Sequence, residues 1–500
     1  MNDTHEGLAG RTGPAAIDIP AEQFRQLGHQ LVDDVAALLG GLRDRPVAPG
    51  LDPSDIRARL GDASMPQAGA DPAEILADAT RFLFDHSTFN GHPRFFGYIT
   101  ASAAPMGILG EMLAAAVNPN VGGWILSPAA SEIELQTVRW MAELTGFPAD
   151  CSGLFVSGGN MANIVCFLAA KAKAGPGGKL RCYASAETHT WIDKALDISG
   201  LGPDSMVRLA LDDGERIDPA ELRAAIERDR SAGMRPFLVI ATAGTTNTGA
   251  VDPISAVADL CSETGIWLHV DGAYGAPVAA LPDASSDLRA ISRADSLAID
   301  PHKWLYAPLE AGCALVKSRD DLLRAYSHNP HYYHFPEAEG EPGTNFHELG
   351  LQNSRGFRAL KVWLAMRQVG RAGYVEMIEQ DVSLAREMFD AIDAEETLEA
   401  RTCELSIVTF RYVPPDLRAR AGESVEYLNQ LNEDIVSALQ LGGEIFVSNA
   451  TIRGTFLLRA CIVNFRTTTA DVRAVPEIVA RVGRRIDEGL RGDHRAAADA

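Results

Sequence analysis

Between residues 105 and 320 the chain alternates short β-rich runs with longer helical ones, and this alternation restricts the fold more than any other feature. The strand-like runs are GLFVSG, KLRCYAS, FLVIATAG, IWLHVDG, SLAID and CALVK; between them lie helical stretches such as MANIVCFLAAKAKA and PAELRAAIERDRSAG. Strands separated by helix-length crossovers predict a largely parallel sheet covered on both faces, the α/β class. After the helical RGFRALKVWLAMRQVG come two more strand-like runs, LSIVTFRYV and TFLLRACIV, which predict a smaller α+β domain. Near the start, Phe24, Leu27, Leu31, Val35, Leu38 and Leu39 recur at helical spacing until Gly40-Gly41, and a second apolar helix face follows at 72–84. Those faces need something to cover, either the main body or a second subunit. The expected divisions are a helical arm at 1–104, a large domain at 105–375 and a small domain at 376–500.

Bulk properties exclude several roles. A net charge of −22 opposes binding to nucleic acid or to an anionic membrane. No apolar run reaches transmembrane length, and the opening MNDTHEGLAGRTG lacks the basic and apolar regions of a signal peptide. The seven cysteines are scattered without a C-x-x-C pair, which suggests neither a disulfide framework nor a metal site. A cytoplasmic protein is expected.

In open α/β sheets, ligands bind outside the carboxyl ends of the strands, so the residues that follow each strand are the ones able to meet. After GLFV come Gly158, Gly159 and Asn160, small residues at a helix start that expose backbone N–H groups to a phosphate. The other strands are followed by His189, by Thr246, by Asp271 with Ala273, and by Asp300, His302 and Lys303. Lys303 stands between apolar runs, where an unpartnered ammonium is costly. A lysine, a carboxylate, a flat ring, a hydroxyl and a phosphate nest are what pyridoxal 5'-phosphate requires.

HVDGAYGAP ahead of DPHKW, together with FVSGGNMAN and ATAGTTNTGAVD, resembles the group II pyridoxal-phosphate decarboxylases, and most nearly the aromatic-L-amino-acid decarboxylases. The likeness runs from the first helix through HPRFFGYIT and GGWILSPAASEIE to LLRACIVNFRTTTADV. It implies fold type I of the pyridoxal-phosphate enzymes, a homodimer with its site at the subunit interface and N-terminal helices wrapping the partner, and an L-amino acid as substrate. By position, Lys303 resembles the Schiff-base lysine, Asp271 the partner of the pyridine nitrogen, Ala273 the residue under the ring and His189 the one stacked on it. Thr246 would lie near the ring oxygen. Gly158, Gly159 and Asn160 match the phosphate-binding turn, with Asp300 and His302 nearby.

The family delivers a proton through a tyrosine on a loop preceding the RGFR helix. Counting back from SRGFRALK places Phe346 there, an exchange that in plant relatives accompanies a switch from amine to aldehyde product; Tyr332 or Tyr333 in NPHYYHF is the alternative donor. The resemblance also implicates Phe96, Tyr98, Ile99, Gly122, Trp124 and Ser354 in the substrate pocket, with Trp124 supplied by the other subunit. Gly122 replaces an aromatic residue of animal enzymes and would enlarge that pocket, while Ser354 favours tyrosine, dopa or phenylalanine over an indole. Arg355 and Arg358 are available either for an acidic substrate or for structural ion pairs.

Overall fold

The computed structural model describes residues 15–328 and 343–498. Two compact units divide at Phe89/Asn90. The first holds helices Ala21–Gly41, Pro53–Leu60 and Pro72–His86. The short middle helix starts at a capping box formed by Asp52 and Asp55. Phe24, Ile75 and Leu83 stay exposed on this unit.

The second unit is built on a seven-stranded sheet: β1 (Ser152–Val156), β2 (Leu180–Ser185), β3 (Met206–Leu209), β4 (Arg235–Thr242), β5 (Trp267–Asp271), β6 (Ser296–Ile299) and β7 (Gly312–Val316). Their order is β1-β7-β6-β5-β4-β2-β3. Only β7 runs against its neighbours, so the other six are parallel and place their carboxyl ends on one edge. The core strands are buried along their length, as a sheet covered on both faces requires. Edge strand β3 is only four residues long, with Met206 and Val207 partly buried, Arg208 exposed and Leu209 alone fully buried.

A second sheet contains β8 (Leu398–Glu404), β9 (Ile407–Tyr412), β10 (Ser448–Ile452) and β11 (Thr455–Cys461), ordered β10-β11-β9-β8 and antiparallel throughout. Phe410, Tyr412, Leu431, Ile435, Leu458 and Val479 form its core. Residues 90–104, assigned to the arm on sequence, fall in this second unit, and 94–98 run along the small sheet: the Phe96 N–H donates to the Phe446 carbonyl (2.7 Å), and Phe96 O accepts from Cys461 N (2.9 Å). A helix from Ala359 to Asp393, kinked at Gly370, passes through the expected boundary at 375. No helix is long and apolar enough to cross a membrane, among the described residues.

Candidate active site

The carboxyl ends of β1, β2, β4, β5 and β6 converge on a cavity of about 380 Å³. Gly158, Gly159, Asn160, His189, Thr246, Asp271, Ala273, Asp300, His302 and Lys303 all line it. A larger cavity of about 810 Å³ opens at the opposite edge of the sheet. Its cations are already engaged: Lys173 by Asp321, Arg293 by Asp259, Arg235 by the Gly177 carbonyl and Lys317 by the Arg293 carbonyl. The smaller cavity holds the chemistry-bearing groups.

Glycine is required where the chain approaches itself. A Cβ on Gly159 would sit 2.6 Å from Asp300 Oδ2, and one on Gly312 would meet the Gly158 backbone at 2.5 Å. The turn is thereby pressed close to β6 and β7, with backbone N–H groups at the start of helix Gly159–Ala174. Lys303 Nζ lies 3.2 Å from Asp300 Oδ2 and is mostly buried, so Asp300 supplies the partner that an ammonium in this setting needs. His302 accepts the Ala311 N–H on Nδ1 (3.1 Å), and burial holds its ring below the usual histidine range.

Asp271 is buried at the end of β5. One oxygen accepts the Trp191 indole N–H (2.8 Å) and the other the Ala273 N–H (3.2 Å). Behind it the Trp191 ring meets His269 edge-on, with centroids 5.7 Å apart. His269 contacts Ser296 Oγ (2.8 Å) and Asn163 Oδ1 (2.7 Å), and burial drives its pKa down to about 4. Because Ser296 Oγ already accepts the Trp267 indole N–H, its hydroxyl is free to donate to Nδ1, and Nε2–H donates to Asn163. The carboxylate thus rests on a neutral, fully partnered layer.

His189 Nδ1 accepts the Trp191 N–H (3.3 Å); desolvation lowers its pKa, so a neutral ring faces the cavity. Thr245 turns away to Thr248 (2.9 Å), leaving Thr246 on the cavity wall. Glu187 also lines the cavity; burial raises its pKa, and Asn247 donates to it at 2.6 Å. Trp191, Asn163 and Thr242 are cavity residues that the strand-end reading missed. The signal for Trp191 was its place two residues past His189, at the start of a helix.

The remaining expected residues lie elsewhere. Phe346 is fully buried in the core, in a short turn at 346–348, with the Arg355 guanidinium 4.7 Å over its ring. It packs in this chain's core and lines no part of this cavity. Phe96 is fully buried in the core of the small sheet, and Ile99 is buried too. Tyr98 is exposed with φ of 53°, and Ser354 is exposed. A Cβ on Gly122 would collide with the Asn353 carbonyl, so glycine here permits a close backbone contact and opens no pocket. Trp124 donates its indole N–H to Glu132 (2.7 Å). Arg355 is buried in an ion pair with Glu134 and donates to the Val121 and Phe155 carbonyls, which commits it to structure. Arg358 pairs with Glu310 at 3.0 Å. Tyr332 and Tyr333 lie outside the described residues.

Residues 53–413 match the family model for the pyridoxal-dependent decarboxylase conserved domain. The chain belongs to the pyridoxal-dependent decarboxylases. An aromatic-L-amino-acid decarboxylase of Bacillus atrophaeus is 36% identical over 460 residues, covering 91% of this chain and 94% of its own. A phenylacetaldehyde synthase of Petunia hybrida is 29% identical, over 88% of this chain and 90% of its own. Among solved structures, the Oryza sativa TDC with PLP and tryptamine superposes with a TM-score of 0.86 at 26% identity, covering 95% of this chain and all of the other. The fold is type I, the enzyme is a carboxy-lyase, and its cofactor is pyridoxal 5'-phosphate.

The cavity of this decarboxylase fits that cofactor. Asp300 Oδ1 and Thr242 Oγ1 are buried in its wall without a partner among the described residues, which leaves polar groups for a ligand to satisfy. The glycine turn has space for backbone donors and none for side chains.

Proposed function

We propose that the protein decarboxylates an aromatic L-amino acid to its amine and CO2, working as a homodimer. The observation that carries this reading is the convergence of Lys303, Asp271, His189 and the Gly158–Asn160 turn on one cavity. Lys303 would hold pyridoxal 5'-phosphate covalently, Asp271 would keep a proton on its ring nitrogen, and the glycine turn would bind its phosphate. When bound, that group supplies an electron sink for the pair left on the α-carbon as CO2 departs. The neutral His189 ring would cover it from the open side and exclude water.

An aromatic substrate is supported by the names of the similar proteins and by the fate of the two arginines. Arg355 is consumed by Glu134 and backbone carbonyls, and Arg358 by Glu310, so neither is reserved for an acidic side chain. Comparing kcat/KM for tyrosine, dopa, phenylalanine and tryptophan with that for glutamate tests this. A preference for glutamate refutes it.

The homodimer is supported by exposed apolar residues that do not line this chain's cavity. Leu109, Met112, Leu113 and Val117, on helix Pro105–Val117, are at least half exposed, and Ile125, Leu126 and Tyr98 are exposed as well. For Tyr98 to touch a substrate, a second copy has to bring its cavity there. Mixing inactive Lys303→Ala and Tyr98→Ala proteins should restore part of the activity; no recovery on mixing contradicts a shared site. The alternative reading is an aldehyde synthase, for which Phe346 in place of the loop tyrosine is the sequence signal; product analysis in air decides between amine and aldehyde.

A further inference from the structure

The chain that follows Lys303 is anchored to a carboxylate outside the cavity. Asp381, on the helix Ala359–Asp393, is 2% exposed, and its Oδ2 accepts both the Trp304 indole N–H (2.9 Å) and the Tyr306 hydroxyl (2.7 Å). From the same helix the Tyr374 hydroxyl donates to the Leu305 carbonyl at 3.3 Å. Three consecutive residues after Lys303 are therefore tied to one helix, while Lys303 itself turns to the cavity. Tyr306 has a φ of 56°, a backbone state that a side chain of this size adopts only when its surroundings hold it.

The anchor also reaches the cavity floor. Trp304 stacks face to face on Tyr274, with centroids 4.9 Å apart and planes 5° from parallel, and Tyr274 directly follows Ala273. The Tyr274 hydroxyl is in turn held by Ser406 Oγ (2.7 Å) and accepts the Ser406 N–H (3.0 Å), next to β9 of the small sheet. We propose that Asp381 is a positioning residue for Lys303, fixing the 303–306 turn and the Ala273 floor relative to one another through Trp304 and Tyr306. Burying a carboxylate is costly, and an apolar residue would fill this core position at less expense. Burial pushes Asp381 up to about 7, and the two donors oppose that shift. Neither packing nor the solvated surface accounts for an acid here; two converging donors from the lysine's own turn do.

The inference rests on Lys303 as the cofactor's lysine. Borohydride reduction of the unmutated holoprotein and peptide mapping tests that separately: label on another lysine removes the proposed site. With Lys303 labelled, the variants decide the role of Asp381. Asp381→Leu is expected to weaken cofactor binding by the apoprotein about tenfold, the worth of one or two buried hydrogen bonds, and to shift the pH midpoint of the holoprotein's visible absorbance. Asp381→Asn keeps an acceptor for the turn and is expected to restore both readouts most of the way. A purely structural role would lower thermal stability while leaving the absorbance midpoint in place, and that result overturns the proposal. If Asp381→Leu does not fold, Tyr306→Phe and Trp304→Phe each remove one donor. Unchanged cofactor affinity and an unchanged midpoint in both also overturn it.

Discussion

The Trp191 indole N–H donates to Oδ2 of Asp271 at 2.8 Å from inside the core. A carboxylate assigned to a protonated ring nitrogen has to be correctly turned, and this bond fixes its orientation. Trp191→Phe deletes the donor and leaves most of the ring volume. A hydrogen bond to a charged group is worth about 1.5–3 kcal/mol, so affinity for pyridoxal 5'-phosphate is expected to fall roughly 10- to 100-fold. Titration of the apoprotein with the cofactor measures it; unchanged affinity would mean that the Ala273 N–H suffices.

Phe346 and the tyrosines of NPHYYHF make opposite predictions. Phe346→Tyr places a hydroxyl in a core site and is expected to lower stability by about 1–3 kcal/mol without changing the product. Tyr332→Phe or Tyr333→Phe, if one of these supplies the proton, is expected to divert product from amine to aldehyde and peroxide. Product analysis of the three variants in air separates the two positions.

Glu134 and Arg355 form a pair sealed from solvent, and Glu134 also accepts the Phe155 N–H at 2.9 Å. Removing one partner leaves a buried charge, so Arg355→Met is expected to cost about 3–5 kcal/mol in denaturant unfolding. The relative kcat/KM for aromatic and acidic substrates should not change. A gain or loss of selectivity would put Arg355 back at the substrate.

His269 gives the stability a pH dependence of known sign. Its folded pKa, about 4, lies below the ordinary value of 6.5, so as pH falls the unfolded chain takes up a proton that the native protein refuses. Stability is expected to drop as pH falls from about 6.5 towards 4, by roughly 2 kcal/mol between pH 7 and pH 5 from this group. His269→Gln should flatten that part of the profile, as read from denaturant midpoints.

The strands that carry the site were legible because β4, β5 and β6 are buried runs followed at once by polar residues. Asp271 and Lys303 could thus be placed at neighbouring strand ends without a structure. β3, β8 and β10 were not legible: their residues are short, polar or half-exposed, and pairing with a neighbour rather than apolar content makes them strands. Trp191 and Asp271 are eighty residues apart, and no periodicity predicts their contact. The burial of Phe346 was not legible, because a segment without periodicity gives counting no register. Its burial beneath Arg355 depends on a fold that brings 120–122, 134 and 355 together.

The most direct test incubates cofactor-loaded protein in air with tyrosine, dopa, phenylalanine and tryptophan and follows CO2, amine, aldehyde and peroxide together. Amine and CO2 in equal amounts, without peroxide, from at least one of the four is the predicted result. Aldehyde with an equal amount of peroxide, or no CO2 from any of them, would contradict it.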